Sequence, residues 1–118
     1  MINGIINVYK ERGFTSFDVV AKLRGILHER KIGHTGTLDP EATGVLPVCI
    51  GNATKVCELL TDKDKVYRTV MHLGITTDTQ DMTGTVKEDR SREAALLKEQ
   101  TVEAAILQFV GDYEQIPP

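Results

Sequence analysis

The stretch Lys31-Ile-Gly-His-Thr-Gly-Thr-Leu-Asp-Pro-Glu-Ala-Thr-Gly-Val-Leu-Pro-Val-Cys-Ile-Gly51 decides how the chain is read. Gly33, Gly36, Gly44 and Pro40 punctuate its first half, which therefore reads as a shaped loop and not as a regular helix or a central strand. Within the loop one carboxylate, Asp39, sits between Leu38 and Pro40, with His34 and the hydroxyls of Thr35, Thr37 and Thr43 close in sequence. Pro40 drives the residue before it out of the helical region, so the backbone of Asp39 is extended and its side chain has a set direction. Val45 to Ile50 is a short apolar run that reads as a buried strand on which the loop is seated. Local chemistry leaves two readings open: an ordinary Asp-Pro turn, or a loop built to hold something.

Upstream, Ile2 to Tyr9 is short and rich in β-branched residues, which predicts a first strand ending at Lys10. After the Lys10–Phe14 loop, Thr15-Ser-Phe-Asp18 has the form of a capping box. Val19, Val20, Leu23, Ile26 and Leu27 then recur at helical spacing, predicting about three turns to His28 with one buried face. Lys22, Arg24, Arg30 and Lys31 lie on or just past that helix, as a solvated face or as RNA contacts.

Downstream, Asn52 is placed to cap a short helix with Val56, Leu59 and Leu60 inward. Val66 to Leu73 alternates as a strand, with Tyr67, Thr69, Met71 and Leu73 on one face. Thr76 to Gly84 reads as a turn-rich loop stabilised by Asp78 and Asp81, and Thr85 to Glu88 as a further strand. Ser91 to Gln100 is helix-prone. Thr101 is the expected cap of a last helix that buries Val102, Ala105, Ile106, Phe109 and Val110 and stops at Gly111. Tyr67 taken alone reads as a sheet-face aromatic, and His72 as structural.

One domain with a modest core fits 118 residues. A net charge of −3 argues against a generic nucleic-acid binder held by bulk positive charge. Residues 1–65 hold nine Lys and Arg against eight Asp and Glu, whereas 66–118 hold five against nine, so an RNA-facing surface belongs to the first half. Cys49 and Cys57 fit neither a zinc pair nor a redox motif and read as reduced core residues. No secretory pattern or membrane-length apolar run is present, and the expected location is the cytoplasm. A metal set from Asp78, Asp81 and His72 lacks any fixed ligand spacing, and no metal is expected.

Gly33-His-Thr-Gly-Thr-Leu-Asp-Pro40, Ala42-Thr-Gly44 and Leu46-Pro47 together closely resemble the signature of the TruB class of pseudouridine synthases. Lys10, Gly13, Thr15 and Ser16 match a second pattern of the class, Lys-Pro-x-Gly-x-Thr-Ser, with Glu11 in place of the proline. Lys65-x-Tyr67 with Leu73-Gly74, Thr77-Asp78-Thr79, Asp81 and Gly84 matches a third, and Gln115-Ile-Pro-Pro118 begins a fourth. The resemblance implies an α+β fold with a mixed, mainly antiparallel sheet and flanking helices. It makes residues 1–118 a truncated, N-terminal portion of the catalytic domain, with the C-terminal RNA-binding domain absent.

The implied activity is isomerisation of uridine to pseudouridine at position 55, in the T stem-loop of tRNA, without a cofactor or an obligatory protein partner. Asp39 is implied as the catalytic residue, Tyr67 as the aromatic that stacks on the target base, and His34, Gly36, Thr37 and Lys10 as further substrate-binding residues. The reaction breaks the N1–C1′ bond of a flipped-out uridine, turns the base and rejoins it through C5. A carboxylate by the ribose serves as nucleophile or as base at C2′, while an aromatic face retains the uracil. The class pairs its Asp with an Arg from a later segment, so the 118-residue chain alone is expected to be weak or inactive. A noncatalytic RNA-binding or tRNA-folding module is the alternative.

Overall fold

A computed structural model describes residues 1–117, which fall into two compact units, Met1–Val66 and the segment from Tyr67 onward. The last residue of the Gln115–Pro118 motif lies outside the described residues. In the first unit, strand β1 (Gly4–Lys10) leads to helix α1 (Ser16–Leu27), strand β2 (Ile32–His34) and strand β3 (Gly44–Ile50). A 3-10 turn over Gly51–Val56 and helix α2 (Cys57–Thr61) follow. The strands form an antiparallel sheet in the order β1-β3-β2, so the apolar run after the Asp39 loop is its central strand.

The register pairs Val8 with Leu46 and Ile32 with Ile50. Side chains alternate across a strand, so these residues share one face with Val48, and α1 lays Val19 and Val20 on it, with Leu23 and Leu27 packed around. Helix α1 starts as its sequence predicts. Thr15 accepts the Asp18 amide at 3.0 Å, and the Asp18 carboxylate accepts the Thr15 amide at 2.8 Å. These bonds hold the Asp18 carboxyl below its usual pKa. Ile26, expected in the buried face, is 64% exposed, because the covered stripe centres on Val20, Leu23 and Leu27 and Ile26 stands at its margin.

Part of the expected loop is itself strand, since Ile32–His34 pairs with the apolar run as an edge. Pro47 in a central strand is unusual, because proline donates nothing to a ladder. Here the Pro47 carbonyl faces the β2 side, where it accepts the Thr35 amide at 3.1 Å. The N–H and C=O of one strand residue point the same way, so the missing N–H also faces β2, just past the His34 end of that strand. The β1 side of the ladder is thus untouched, and on the β2 side the proline leaves only the reciprocal bond to the Thr35 carbonyl unmade, at the end of that strand.

Asn52 does not cap a helix with its side chain. It lies inside the 3-10 turn, where its amide donates to the side-chain oxygen of Asn3 at 2.7 Å. Leu59, expected inward, is exposed. Cys49 is buried and Cys57 half-buried, both as free thiols.

In the second unit the expected strand Val66–Leu73 does not form. Alternation of side chains makes a strand only if another backbone takes its N–H and C=O groups, and no described strand does so; Val70 is 94% exposed. The unit's paired strands are instead β4 (Ile75–Thr77) and β5 (Val86–Asp89), which are antiparallel. The loop between them is held as its composition predicts. Asp78 accepts the Thr85 amide at 2.8 Å and Asp81 the Thr83 amide at 2.8 Å, and hydroxyl bonds from Thr83 and Thr79 keep the Asp81 pKa low.

Helix α3 (Ser91–Ala94) is tethered by Asp89, which accepts the Ser91 amide; the Ser91 bonds lower the Asp89 pKa, and the charge of His72 adds to the effect. Helix α4 (Glu99–Leu107) starts two residues before Thr101, with Lys98 at its N-cap, and ends before Gly111. Its expected buried face is uncovered, with Ile106, Phe109 and Val110 exposed. No residue in 67–117 is fully buried. The architecture is α+β, with every described strand pairing antiparallel. No helix among the described residues is long and apolar enough to cross a membrane.

Two outcomes follow from this packing. Ile50→Ala, at a site 1% exposed, should lower unfolding free energy by about 2–5 kcal/mol in a urea titration, and Ile26→Ala should stay within about 0.5 kcal/mol of the parent. The Cys49 thiol is pushed up to about 11 by burial and by neighbouring Cys57, so at pH 8 it stays protonated. Iodoacetamide at that pH should therefore label Cys57 in the folded protein and reach Cys49 only after denaturation, as read by peptide mass spectrometry.

Candidate active site

The Asp39 loop leaves β2, crosses in front of the N-terminus of α1 and re-enters the sheet as β3. Each of its bends is tied by a backbone group. At its start Thr35 is buried, with both its amide and its hydroxyl on the Pro47 carbonyl, at 3.1 and 3.0 Å. His34 follows the strand with Nδ1 at 2.6 Å from the Gly36 carbonyl. A carbonyl oxygen at that distance requires a donor, so Nδ1 carries a hydrogen and Nε2 takes no part in this bond. Gly36 adopts φ +143°, which a side chain rarely tolerates.

Asp39 opens a tight turn in which its own carbonyl accepts the Ala42 amide at 2.9 Å. On one side of it, the Leu38 amide donates to Ser16 Oγ at 3.0 Å. On the other, the Pro40 carbonyl accepts the Gly13 amide at 2.8 Å and Lys10 Nζ at 3.2 Å. The Asp39 side chain is exposed, and within Met1–Val66 its carboxylate accepts no hydrogen bond and pairs with no cation. A fixed backbone thus presents a carboxylate that the first unit leaves unused.

The resemblance implies Lys10 as a substrate-binding residue; in the fold it is completely buried at the end of β1. Its ammonium donates to the carbonyls of Glu11 at 3.0 Å, Phe14 at 2.6 Å and Pro40 at 3.2 Å. An ammonium has three donors, and all are taken. Lys10 therefore fastens the turn after β1 to the Asp39 loop and has no donor left for a substrate. Glu11, where the class pattern has proline, contributes its carbonyl to this arrangement, and neighbouring Gly13 supplies the left-handed φ of +86° that the turn uses.

His34 and Gly36 are half-buried and Thr37 is exposed, all on the same loop as Asp39. Tyr67 opens the second unit, is 63% exposed and belongs to no strand. Of the four basic residues near α1, Lys22 lies over the Phe14 ring at 5.3 Å and Arg24 reaches the Ile32 carbonyl at 3.5 Å. Both therefore have partners within the unit.

Two residues at this loop were not among the site residues expected from sequence. Ser16 is 2% exposed and bonds the loop next to Asp39, although the sequence marks it only as a match to the Lys-Pro-x-Gly-x-Thr-Ser pattern. Lys65 brings its side chain against Gly36, where a Cβ would stand 3.4 Å from its Cε. The signal for Lys65 was its place in the motif that also holds Tyr67.

The chain is similar in sequence to known proteins. A tRNA pseudouridine synthase B of Bacillus pumilus (strain SAFR-032) is 52% identical over all 118 residues, which span 38% of its length. A protein of the same name from Lachnoclostridium phytofermentans is 80% identical over 74 residues, 63% of this chain and 24% of that one. A solved structure of an H/ACA RNP bound to a substrate RNA containing 2′-deoxyuridine matches 48% of this chain and 18% of its own at 50% identity, with a TM-score of 0.46. The family model described as TruB family pseudouridylate synthase (N terminal domain) matches residues 24–118, and the chain belongs to that family.

Proposed function

We propose that the protein carrying this chain converts uridine to pseudouridine in the T stem-loop of tRNA, at position 55, with Asp39 as its catalytic carboxylate. The observation that supports this reading is the contrast within one loop: the backbone on both sides of Asp39 is bonded, and its carboxylate is free. A carboxylate that only stabilised a turn would accept local amides, as Asp78 and Asp81 do in this same chain.

In the proposed reaction the target nucleotide is flipped out of its stack against the Asp39 loop. The carboxylate acts at the ribose, as nucleophile at C1′ or as base at C2′. The N1–C1′ bond breaks, uracil turns, C5 bonds to C1′, C5 loses its proton and N1 gains one, so no external reactant is consumed. Tyr67 supplies the aromatic face that keeps the detached base from escaping. Nε2 of His34 meets the displaced RNA, with Gly36 and Thr37 lining the approach, while Lys10 acts from within as the anchor of the loop.

Residues 1–118 alone should turn over slowly, because within Met1–Val66 no cation pairs directly with the Asp39 carboxylate to hold its charge once RNA excludes water. In the full-length protein, Asp39→Asn should remove pseudouridine formation by several orders of magnitude and leave tRNA affinity within a few-fold. Activity within about tenfold of the parent would overturn the assignment. Tyr67→Phe should keep more RNA affinity and activity than Tyr67→Leu, since a ring face is what stacking requires. Equal losses in a tritium-release assay on a T stem-loop would remove the stacking role.

A further inference from the structure

Ser16 is the first residue of α1, and its position is dictated by the capping box around it: Thr15 and Asp18 exchange bonds of 3.0 and 2.8 Å across it. Its side chain is 2% exposed and turned away from the helix toward the Asp39 loop. There Oγ accepts the Leu38 amide at 3.0 Å and lies 3.5 Å from the Leu38 carbonyl, so both backbone groups of one loop residue address a single hydroxyl. Leu38 in turn packs its side chain against the core of Val19, Val20 and their neighbours. Its backbone is therefore fixed by a bond and its side chain by burial.

The next residue is Asp39, and the one after it, Pro40, is held by Gly13 and Lys10. Apart from the Ala42 amide on the Asp39 carbonyl, the backbone hydrogen bonds on this tripeptide come from residues 10–16, the turn between β1 and α1. Among those clamps Ser16 is the one that acts on the N-terminal side of Asp39. Through the Leu38 amide it holds the Thr37–Leu38 peptide plane, and through the Leu38 carbonyl it touches the Leu38–Asp39 plane that leads into Asp39.

We propose that Ser16 is a positioning residue for catalysis: its hydroxyl, by holding both backbone groups of Leu38, sets the path on which the chain enters Asp39 and so where that residue stands, and it contributes to turnover and not to RNA affinity. This rests on the reading of Asp39 as the catalytic carboxylate. Reacting groups must meet at a near-attack distance, and a displacement of about 1 Å by a distant change can cost on the order of a hundredfold in rate. Removing the Ser16 oxygen leaves the Leu38 amide without its acceptor and the Leu38 carbonyl without its donor, which frees the peptide planes on both sides of Leu38 to turn toward other partners.

The test uses the full-length protein with a T stem-loop RNA, measuring the single-turnover rate, the RNA dissociation constant and the urea midpoint. Ser16→Ala should lower the rate about 10- to 100-fold with the dissociation constant within twofold. Ile50→Val serves as a control for destabilisation, because it perturbs the core without touching the loop. A rate within twofold of the parent for Ser16→Ala, a loss carried by RNA affinity, or an equal rate loss in Ile50→Val would each overturn the proposal. Should Ser16→Ala not fold, exchange of the Leu38 amide in the parent protein decides: slow exchange relative to the exposed Thr37 amide supports the clamp, and equally fast exchange overturns it. Asp39→Asn is assayed in parallel. If it keeps activity, the catalytic reading itself fails; if it loses activity while Ser16→Ala does not, only the role of Ser16 fails.

Discussion

A lysine ammonium buried without a carboxylate partner is the constraint on which the first unit depends. Moving such a charge out of water is costly unless every donor finds an acceptor, and Lys10 meets that requirement with carbonyls from three places: the residue after it, the entry to α1 and the Asp39 loop. The charge thus dictates backbone shape, because each of those carbonyls must turn inward toward one point. Apolar packing alone would not do this. The core residues Val19, Val20, Leu46, Val48 and Ile50 fix how α1 lies on the sheet, but they tolerate small slides in a loop that Lys10 does not.

The sheet is arranged to deliver the loop to that anchor. Lys10 stands opposite Gly44 in the β1–β3 register, so the anchor lies at the point where the chain leaves the Asp39 loop and enters the central strand. At the loop's other end, Thr35 locks onto Pro47, whose carbonyl is free to accept it because β2 has just ended. A residue that seems out of place in a central strand therefore sits at the boundary where its lost donor matters least and its acceptor is used.

Local signals were the legible ones. Thr15 and Asp18 announced the start of α1 because a capping box is completed within four residues, and Val45 to Ile50 announced β3 because it is apolar throughout. The Gly-rich loop and Asp39 were visible as punctuation. Signals that needed a distant partner were not legible. Val66 to Leu73 alternates as a strand should, yet no described strand supplies its ladder, and Ile32 to His34 pairs although its glycine suggested a loop. The surroundings of Lys10 were hidden for the same reason, because only the placement of Phe14 and Pro40 shows that its donors are occupied within the fold. Ser16 was hidden because its partner is 22 residues away.

Satisfied and unsatisfied charges within one small region separate scaffold from chemistry. Lys10 is completely buried with all three donors placed, and Asp18 is spent on its own helix cap. Asp39 belongs to the same web of backbone bonds, yet its carboxylate takes none of them. An exposed carboxylate is ordinary on a flexible surface, where its direction is averaged. On a peptide clamped at Leu38 and Pro40 the Cα–Cβ bond points one way, so the carboxylate is confined to the few rotamers reachable from that point and less backbone entropy is left to lose when a partner arrives. Under the proposed reaction such partial preorganisation is useful, because a flipped nucleotide brings its own disorder and the protein should add little to it.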